Sequence, residues 1–168
     1  MMKFIRVLAI HPSTGVFGFA VLEEPEELID WGMRTIKGDK NARCVQMVSD
    51  LIEHYQPDAL VVEDCWAKGS RRCLRIQELI QDLLNLATGK KIKARSYPRL
   101  SVGKIFAPLS VPTKYQMANM IVSKFPELAP QLPPIRKPWM KEDDRMSIFA
   151  AMALALTLFV AKGRRYVK

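Results

Sequence analysis

The sequence predicts an α/β domain: a mixed β-sheet with helices packed on its faces. Three observations predict it. Three β-rich stretches follow one another with only short turns between them. After them, runs with helical spacing alternate with short strand-like runs, giving the order β-β-β-α-β-α-β-α-α. At 168 residues the chain fits one domain, 1–168, large enough to bury a real core.

Lys3–Ile10 is rich in β-formers and stops at His11-Pro12-Ser13-Thr14-Gly15, a strong turn signal. Val16–Glu23 reads as a second strand, and Leu28–Lys37 as a third after the Glu-Pro-Glu-Glu turn, which suggests an antiparallel meander. Asn41–Tyr55 carries Val45, Val48, Leu51 and Ile52 at helical spacing, and Pro57-Asp58 ends it. Ala59–Val62 is a short buried strand. A polar, basic loop follows at Asp64–Arg72. Leu74–Leu86 is an amphipathic helix, and Lys91–Ser96 a last strand. Thr113–Phe125 is a helix with Thr113 as its N-cap. Five prolines make Pro126–Trp139 an irregular connector. Asp143 or Asp144 opens the final helix, which runs to about Val160.

The formal charge is +9, which for a domain of this size points to a polyanionic partner, most often nucleic acid. Cys44, Cys65 and Cys73 include no CxxC pair, which argues against a disulfide framework or zinc site and fits a reducing, cytoplasmic location. The apolar run Ile148–Ala161 falls short of the ~20 residues that span a bilayer, so no membrane partner is expected.

Metal-dependent phosphodiester cleavage needs carboxylates converging on two Mg²⁺ or Mn²⁺ ions about 3.5–4 Å apart. The sequence offers polar groups at three places suited to that task. His11 follows the first strand, Glu63-Asp64 follows the fourth, and Glu142-Asp143-Asp144 precedes the last helix. Each also has a plainer reading. A histidine in a turn can simply bond local backbone, Glu63 can be a solvated strand-end acid, and acids at a helix N-terminus favour the macrodipole.

Taken in order, Ile10-His11-Pro12-Ser13-Thr14-Gly15, Val62-Glu63 and Ala150-Ala151-Met152-Ala153-Leu154 give the chain a resemblance to the RuvC branch of the RNase H-like superfamily. Members of that branch cut Holliday junctions. They typically carry an Ile-Asp-Pro first hairpin, a Val/Ile-Glu ending the fourth strand and an Asp-Ala-Leu-Ala final helix. The resemblance covers nearly the whole chain. It implies an RNase H-like mixed five-stranded sheet, an antiparallel meander followed by parallel strands, with helices on both faces.

Two departures stand out. His11 occupies the position of the family's first catalytic Asp, and Ala150 that of the helix Asp; the other helix acid, one turn earlier, would be Ser147. Only Glu63 matches outright. Neutral imidazole brings one nitrogen and no charge, suits Mn²⁺ better than Mg²⁺, and alanine brings no ligand. Asp143, sharing a helix face with residues 147 and 150, and Asp144 are the available replacements. The expected site is therefore Glu63, Asp143, Asp144 and His11, with Ala150 at a lost position. Glu63, Asp143 and Asp144 would hold one ion weakly or not at all. Mg²⁺ or Mn²⁺ is the cofactor if cleavage persists, and none is needed if it does not.

The loop after Glu63 places Trp66 among Lys68, Arg71, Arg72 and Arg75, cations that neutralise phosphates beside an aromatic that stacks on an unpaired base. Lys90, Lys91, Lys93, Arg95 and Arg99 form a second basic cluster, with Tyr97 interleaved, and residues 162–168 a basic tail. The leading expectation is a binder of branched or structured DNA with a degenerate nuclease site. A working junction endonuclease and a protein-interaction scaffold are the alternatives. An actin-like or sugar-kinase ATPase is excluded by the short chain and the missing second phosphate-binding hairpin. The resemblance also implies a homodimer, matching the two-fold symmetry of a junction; the Leu74–Leu86 helix is the candidate interface, with a core role for its apolar face as the alternative.

Overall fold

The computed structural model describes residues 5–68, 70–107 and 112–163. Within them the chain forms β1 (Val7–Pro12), β2 (Val16–Glu24), β3 (Glu27–Thr35), α1 (Lys40–Tyr55), β4 (Ala59–Glu63), α2 (Leu74–Gly89), β5 (Lys93–Tyr97), α3 (Arg99–Lys104), α4 (Lys114–Lys124) and α5 (Met146–Ala161). The strands make one sheet in the order β3-β2-β1-β4-β5. β1, β2 and β3 pair antiparallel, whereas β4 runs parallel to β1 and β5 parallel to β4. The mixed sheet expected from the sequence is thus present.

Alternation along the strands divides the core in two. Leu8, Ile10, Phe17, Phe19, Val21, Leu60 and Val62 point to one face and pack against α1 and α2. Val7, Ala9, Ala20, Leu22, Ala59 and Val61 point to the other and pack against α3, α4 and α5. Ala9, Gly18 and Ala20 on this side are small, and the helix sits close. A Cβ placed on Gly18 would lie 2.2 Å from the backbone oxygen of Ser147, so only glycine fits there. Between Ser147 and Phe159 every residue of α5 is buried except Ala150.

The caps follow local chemistry. Asp39 accepts from the Ala42 N–H at the start of α1, and Thr113 forms a reciprocal capping box with Gln116 at the start of α4.

Four details differ from expectation. β1 continues through His11 to Pro12, because the β1–β2 ladder extends to the pairs His11–Gly18 and Pro12–Phe17. His11 is therefore a strand residue, and the turn is Ser13–Gly15, closed by the Ser13 N–H donating to the Val16 carbonyl at 2.8 Å. Arg99–Lys104 forms a helix that lacked a long enough apolar period to be read. The proline-rich connector contains a 3₁₀ turn at Pro126–Gln131. Finally, α5 opens at Met146, not at Asp143 or Asp144. The Asp143 carboxylate accepts from the Arg145 N–H at 2.9 Å, and this local bond holds a turn ahead of the helix. Asp143 thus precedes the α5 face instead of sharing it.

The apolar stripe of α2, from Ile76 through Leu79, Ile80 and Leu83 to Ala87, lies inside the core; the expected dimer interface is not available on that stripe. Of the basic tail, Lys162 is exposed and residues 164–168 lie outside the described residues. Among the described residues no helix is long and apolar enough to cross a membrane.

Candidate nucleic-acid interface

The carboxyl ends of β1, β4 and β5 meet the start of α5 at one edge of the sheet. In open α/β sheets this is where crevices form, because the connecting loops diverge there. His11 and Glu63 each lie two residues beyond the paired Ala9 and Val61, on the same side of the sheet as α5. Glu63 pairs with Tyr97 across β5, which leads through Pro98 into α3. A cleft of about 680 Å³ opens over these ends. His11, Glu63, Asp64, Asp143, Asp144, Ser147 and Ala150 all line it, so the fold gathers the acids and altered positions named from the sequence. Ala150, the one break in the burial of that stretch of α5, looks into the cleft where the resembling family carries an acid.

Four acids of the cleft are already engaged. Glu63, nearly buried, has the Arg72 guanidinium beside it, with Nε 3.7 Å from its Oε2. Arg72 also donates through Nη2 to the Pro12 carbonyl, tying the loop after β4 to the end of β1. Asp143 takes Arg145 in two bonds, at 3.0 and 2.8 Å, and that guanidinium holds its carboxyl below the usual range. Glu142 takes the Lys114 ammonium at 3.0 and 3.1 Å. Asp64 accepts from the Trp66 N–H at 3.0 Å.

His11 has the opposite surroundings. Burial, followed by the charges of Arg72, Lys114 and Arg99, depresses its imidazole to about 3, so the ring is neutral. No carboxylate is among the groups that move it. Its Nδ1 is buried without a hydrogen-bond partner, although the residue as a whole keeps some exposure to the cleft. The Nε of Arg72 is the other such atom among the described residues.

This arrangement does not fit a pair of divalent ions. Among the described residues no three His, Cys, Asp or Glu side chains come together as a metal-holding group. Ala150 contributes no ligand, Glu63 already faces a guanidinium, and a cationic neighbourhood around His11 disfavours a second cation. Glu63, Asp143 and Asp144 line the same cleft without forming such a group among the described residues.

The cations expected to meet nucleic acid separate into groups. Lys68, Arg71 and Arg72 line the cleft. Arg75 is turned inward, donating to the carbonyls of Ser13 and Thr14 and to Asn41, so it braces the hairpin turn. Trp66 is 52% exposed on the loop leading to the cleft. Lys91, Lys93 and Arg95 are exposed on or just before β5, and none of them lines the cleft. Lys93 pairs with Ala59, at the opposite end of β4 from Glu63.

Three cations of the cleft were not named as site residues from the sequence: Arg99 on α3, Lys114 on α4 and Lys141 ahead of α5. Only Arg99 was noted, as part of the wrong cluster. Trp139, 81% exposed between Lys137 and Lys141, is a further aromatic in basic surroundings. The Arg-Lys-Pro-Trp-Met-Lys run, 136–141, was the signal available for it.

No family model matches the sequence, and no curated protein matches it. Solved structures do share the fold. Thermus thermophilus RuvC aligns with a TM-score of 0.69 at 16% identity, covering 95% of this chain and 97% of that one. The same protein in complex with a Holliday junction substrate gives 0.65 at 16% identity, over 95% and 96%. The yeast mitochondrial Holliday junction resolvase Ydc2 gives 0.63 at 16% identity, over 98% and 83%. Agreement over almost the full length of each chain establishes a RuvC-type, RNase H-like fold, as the motifs implied.

Proposed function

We propose that this protein binds branched or structured DNA of the Holliday junction type and holds it without cutting it. One observation carries the reading. The cleft at the strand ends is lined by six cations (Lys68, Arg71, Arg72, Arg99, Lys114 and Lys141), while two positions that would hold catalytic acids are His11 and Ala150. Cations on the loop after β4, on α3, on α4 and before α5 surround the cleft and suit phosphates of a bent or branched backbone. Trp66, exposed on the loop beside them, supplies a stacking surface for a base left unpaired at a branch point. Binding as a homodimer completes the reading, since two copies match the two-fold symmetry of a four-way junction.

A working Mg²⁺- or Mn²⁺-dependent endonuclease is the competing reading, favoured by the presence of Glu63, Asp143 and Asp144 around one cleft. Titration of the full chain with a labelled four-way junction and a matched duplex, with and without each metal, separates the two. Tight, salt-dependent junction binding with no product, and cleavage gained by the His11→Asp/Ala150→Asp variant, is the expected result. Cutting by the unaltered chain that Glu63→Gln abolishes would establish the nuclease. Failure to bind any nucleic acid would leave a protein-interaction scaffold. Trp66→Ala is expected to weaken junction binding about tenfold, and duplex binding less, because only the junction offers unstacked bases.

A further inference from the structure

Where a metal-dependent nuclease concentrates negative charge, this cleft sets six cations among its five carboxylates, Glu63, Asp64, Glu142, Asp143 and Asp144. The placement is specific. Arg72 bridges the end of β1, through the Pro12 carbonyl, and Glu63 at the end of β4, so a guanidinium lies between the two strands that would carry the first metal ligands. Lys114 and Arg99 approach from α4 and α3, and all three register at His11. Ala150 leaves open space on the α5 side.

We propose that the cleft seats a nucleic-acid phosphodiester directly on Arg72, Arg99 and Lys114, with no divalent ion between protein and phosphate. This rests on the DNA-binding reading above and specifies how its central contact is made.

Several features support it. Arg99 has no carboxylate partner among the described residues, and Lys114 meets Glu142 in a half-exposed pair that a phosphate can replace at small cost. The Arg72 Nε–H is a buried donor without an acceptor; a small shift of its side chain would offer that donor to a phosphate oxygen. A guanidinium also meets phosphate in a bidentate fork, whereas a metal ion needs ligands gathered on one point, and no three come together among the described residues.

The test uses the full chain, a fluorescent four-way junction and a single-stranded oligonucleotide, titrated in EDTA and in Mg²⁺ at matched ionic strength. Affinity is expected to be as high in EDTA as in Mg²⁺, or higher, because Mg²⁺ competes for the same phosphates. Arg72→Gln/Arg99→Gln/Lys114→Gln is expected to lose about 100-fold in affinity and to flatten the salt dependence by two to three contacts' worth. Because Arg72 also ties Pro12 in place, Arg99→Gln/Lys114→Gln is measured separately alongside thermal melts. It should lose about tenfold with its melting temperature unchanged.

Binding that requires Mg²⁺ or Mn²⁺ overturns this inference and leaves the DNA-binding reading standing. An unaltered affinity in the Arg99→Gln/Lys114→Gln variant does the same. No binding to either nucleic acid in any condition overturns both. Inorganic phosphate serves as the competitor that identifies the source of the anion. Weak displacement at high concentration supports a nucleic-acid seat, and tight phosphate binding that excludes DNA overturns it in favour of a free-anion site.

Discussion

Two basic regions of this molecule look alike in sequence and differ in what the fold does with them. At the cleft, Arg72, Arg99 and Lys114 come from three separate segments and converge around a buried imidazole. At the outer end of β5, Lys91, Lys93 and Arg95 come from one segment and point into solvent. Charges facing open water are screened within about 8–10 Å and hold no ligand in a fixed place. Charges lining a concave, partly desolvated surface reinforce one another and focus their field. The comparison teaches that equal charge density along the chain becomes a converging cluster in one region and a solvated row in the other, depending on where the fold sends the segments.

The sharpest way to break the contrast is through the contact of β2 with α5, where Gly18 meets Ser147. Gly18→Val would drive a side chain into the Ser147 backbone, which cannot yield without moving α5. A stability loss of about 3 kcal/mol or more is expected in urea unfolding, or no folded protein at all. Gly89, at the end of α2 near the outer basic cluster, has nothing within 4 Å of an added Cβ. Gly89→Ala should change stability by less than about 1 kcal/mol.

The next effect is one of pH. The folded state holds His11 at about 3, against an ordinary value of 6.5. Between those limits the unfolded chain takes up a proton that the folded chain refuses, so stability falls as pH is lowered and is fully present only above about 6.5. A slope of about 1.4 kcal/mol per pH unit is expected from His11 over the lower part of that range. Chemical denaturation between neutral pH and pH 4 would measure it. Removal of the titrating ring in His11→Asn should flatten the slope even if the variant is less stable throughout. Above pH 4 the depressed Asp143 carboxyl contributes little, since it loses its stabilising charge only as pH falls below the ordinary carboxylate value of 3.8.

Charge removal tests the comparison directly. Arg71→Gln/Lys141→Gln, at the cleft but outside the Arg72, Arg99 and Lys114 group, is expected to weaken junction binding about tenfold. Lys91→Gln/Lys93→Gln/Arg95→Gln removes one more charge from the outer end of β5 and should cost less than about threefold. Equal losses in the two variants would show that the DNA contacts the whole basic surface and that the cleft has no special share.

Much of this was legible in the sequence, and each success has a local cause. Ala59–Val62 was readable as a buried strand because its unbroken apolar run suits a strand covered on both faces, as the two core clusters show. Thr113 was readable as a cap because its hydroxyl acts on a backbone N–H only three residues away. The ordered pieces around His11, Glu63 and Ala150 pointed to the fold that the solved structures share. What stayed hidden depends on contacts between distant segments. His11 looked like a turn residue until the partner strand extended the ladder through Gly18. Asp143 looked helical until Arg145 drew its carboxylate back. The α2 stripe looked free for a partner until the sheet covered it.

The sequence by itself determined the alternation of strands and helices, the histidine and alanine at residues 11 and 150, and the excess of positive charge, since these follow from residue identity and short-range spacing. The tertiary structure alone decided which cations meet. Arg72, Arg99 and Lys114 are 27 and 15 residues apart along the chain and act together at His11 only because parallel strands bring their connecting loops and helices to the same edge of the sheet.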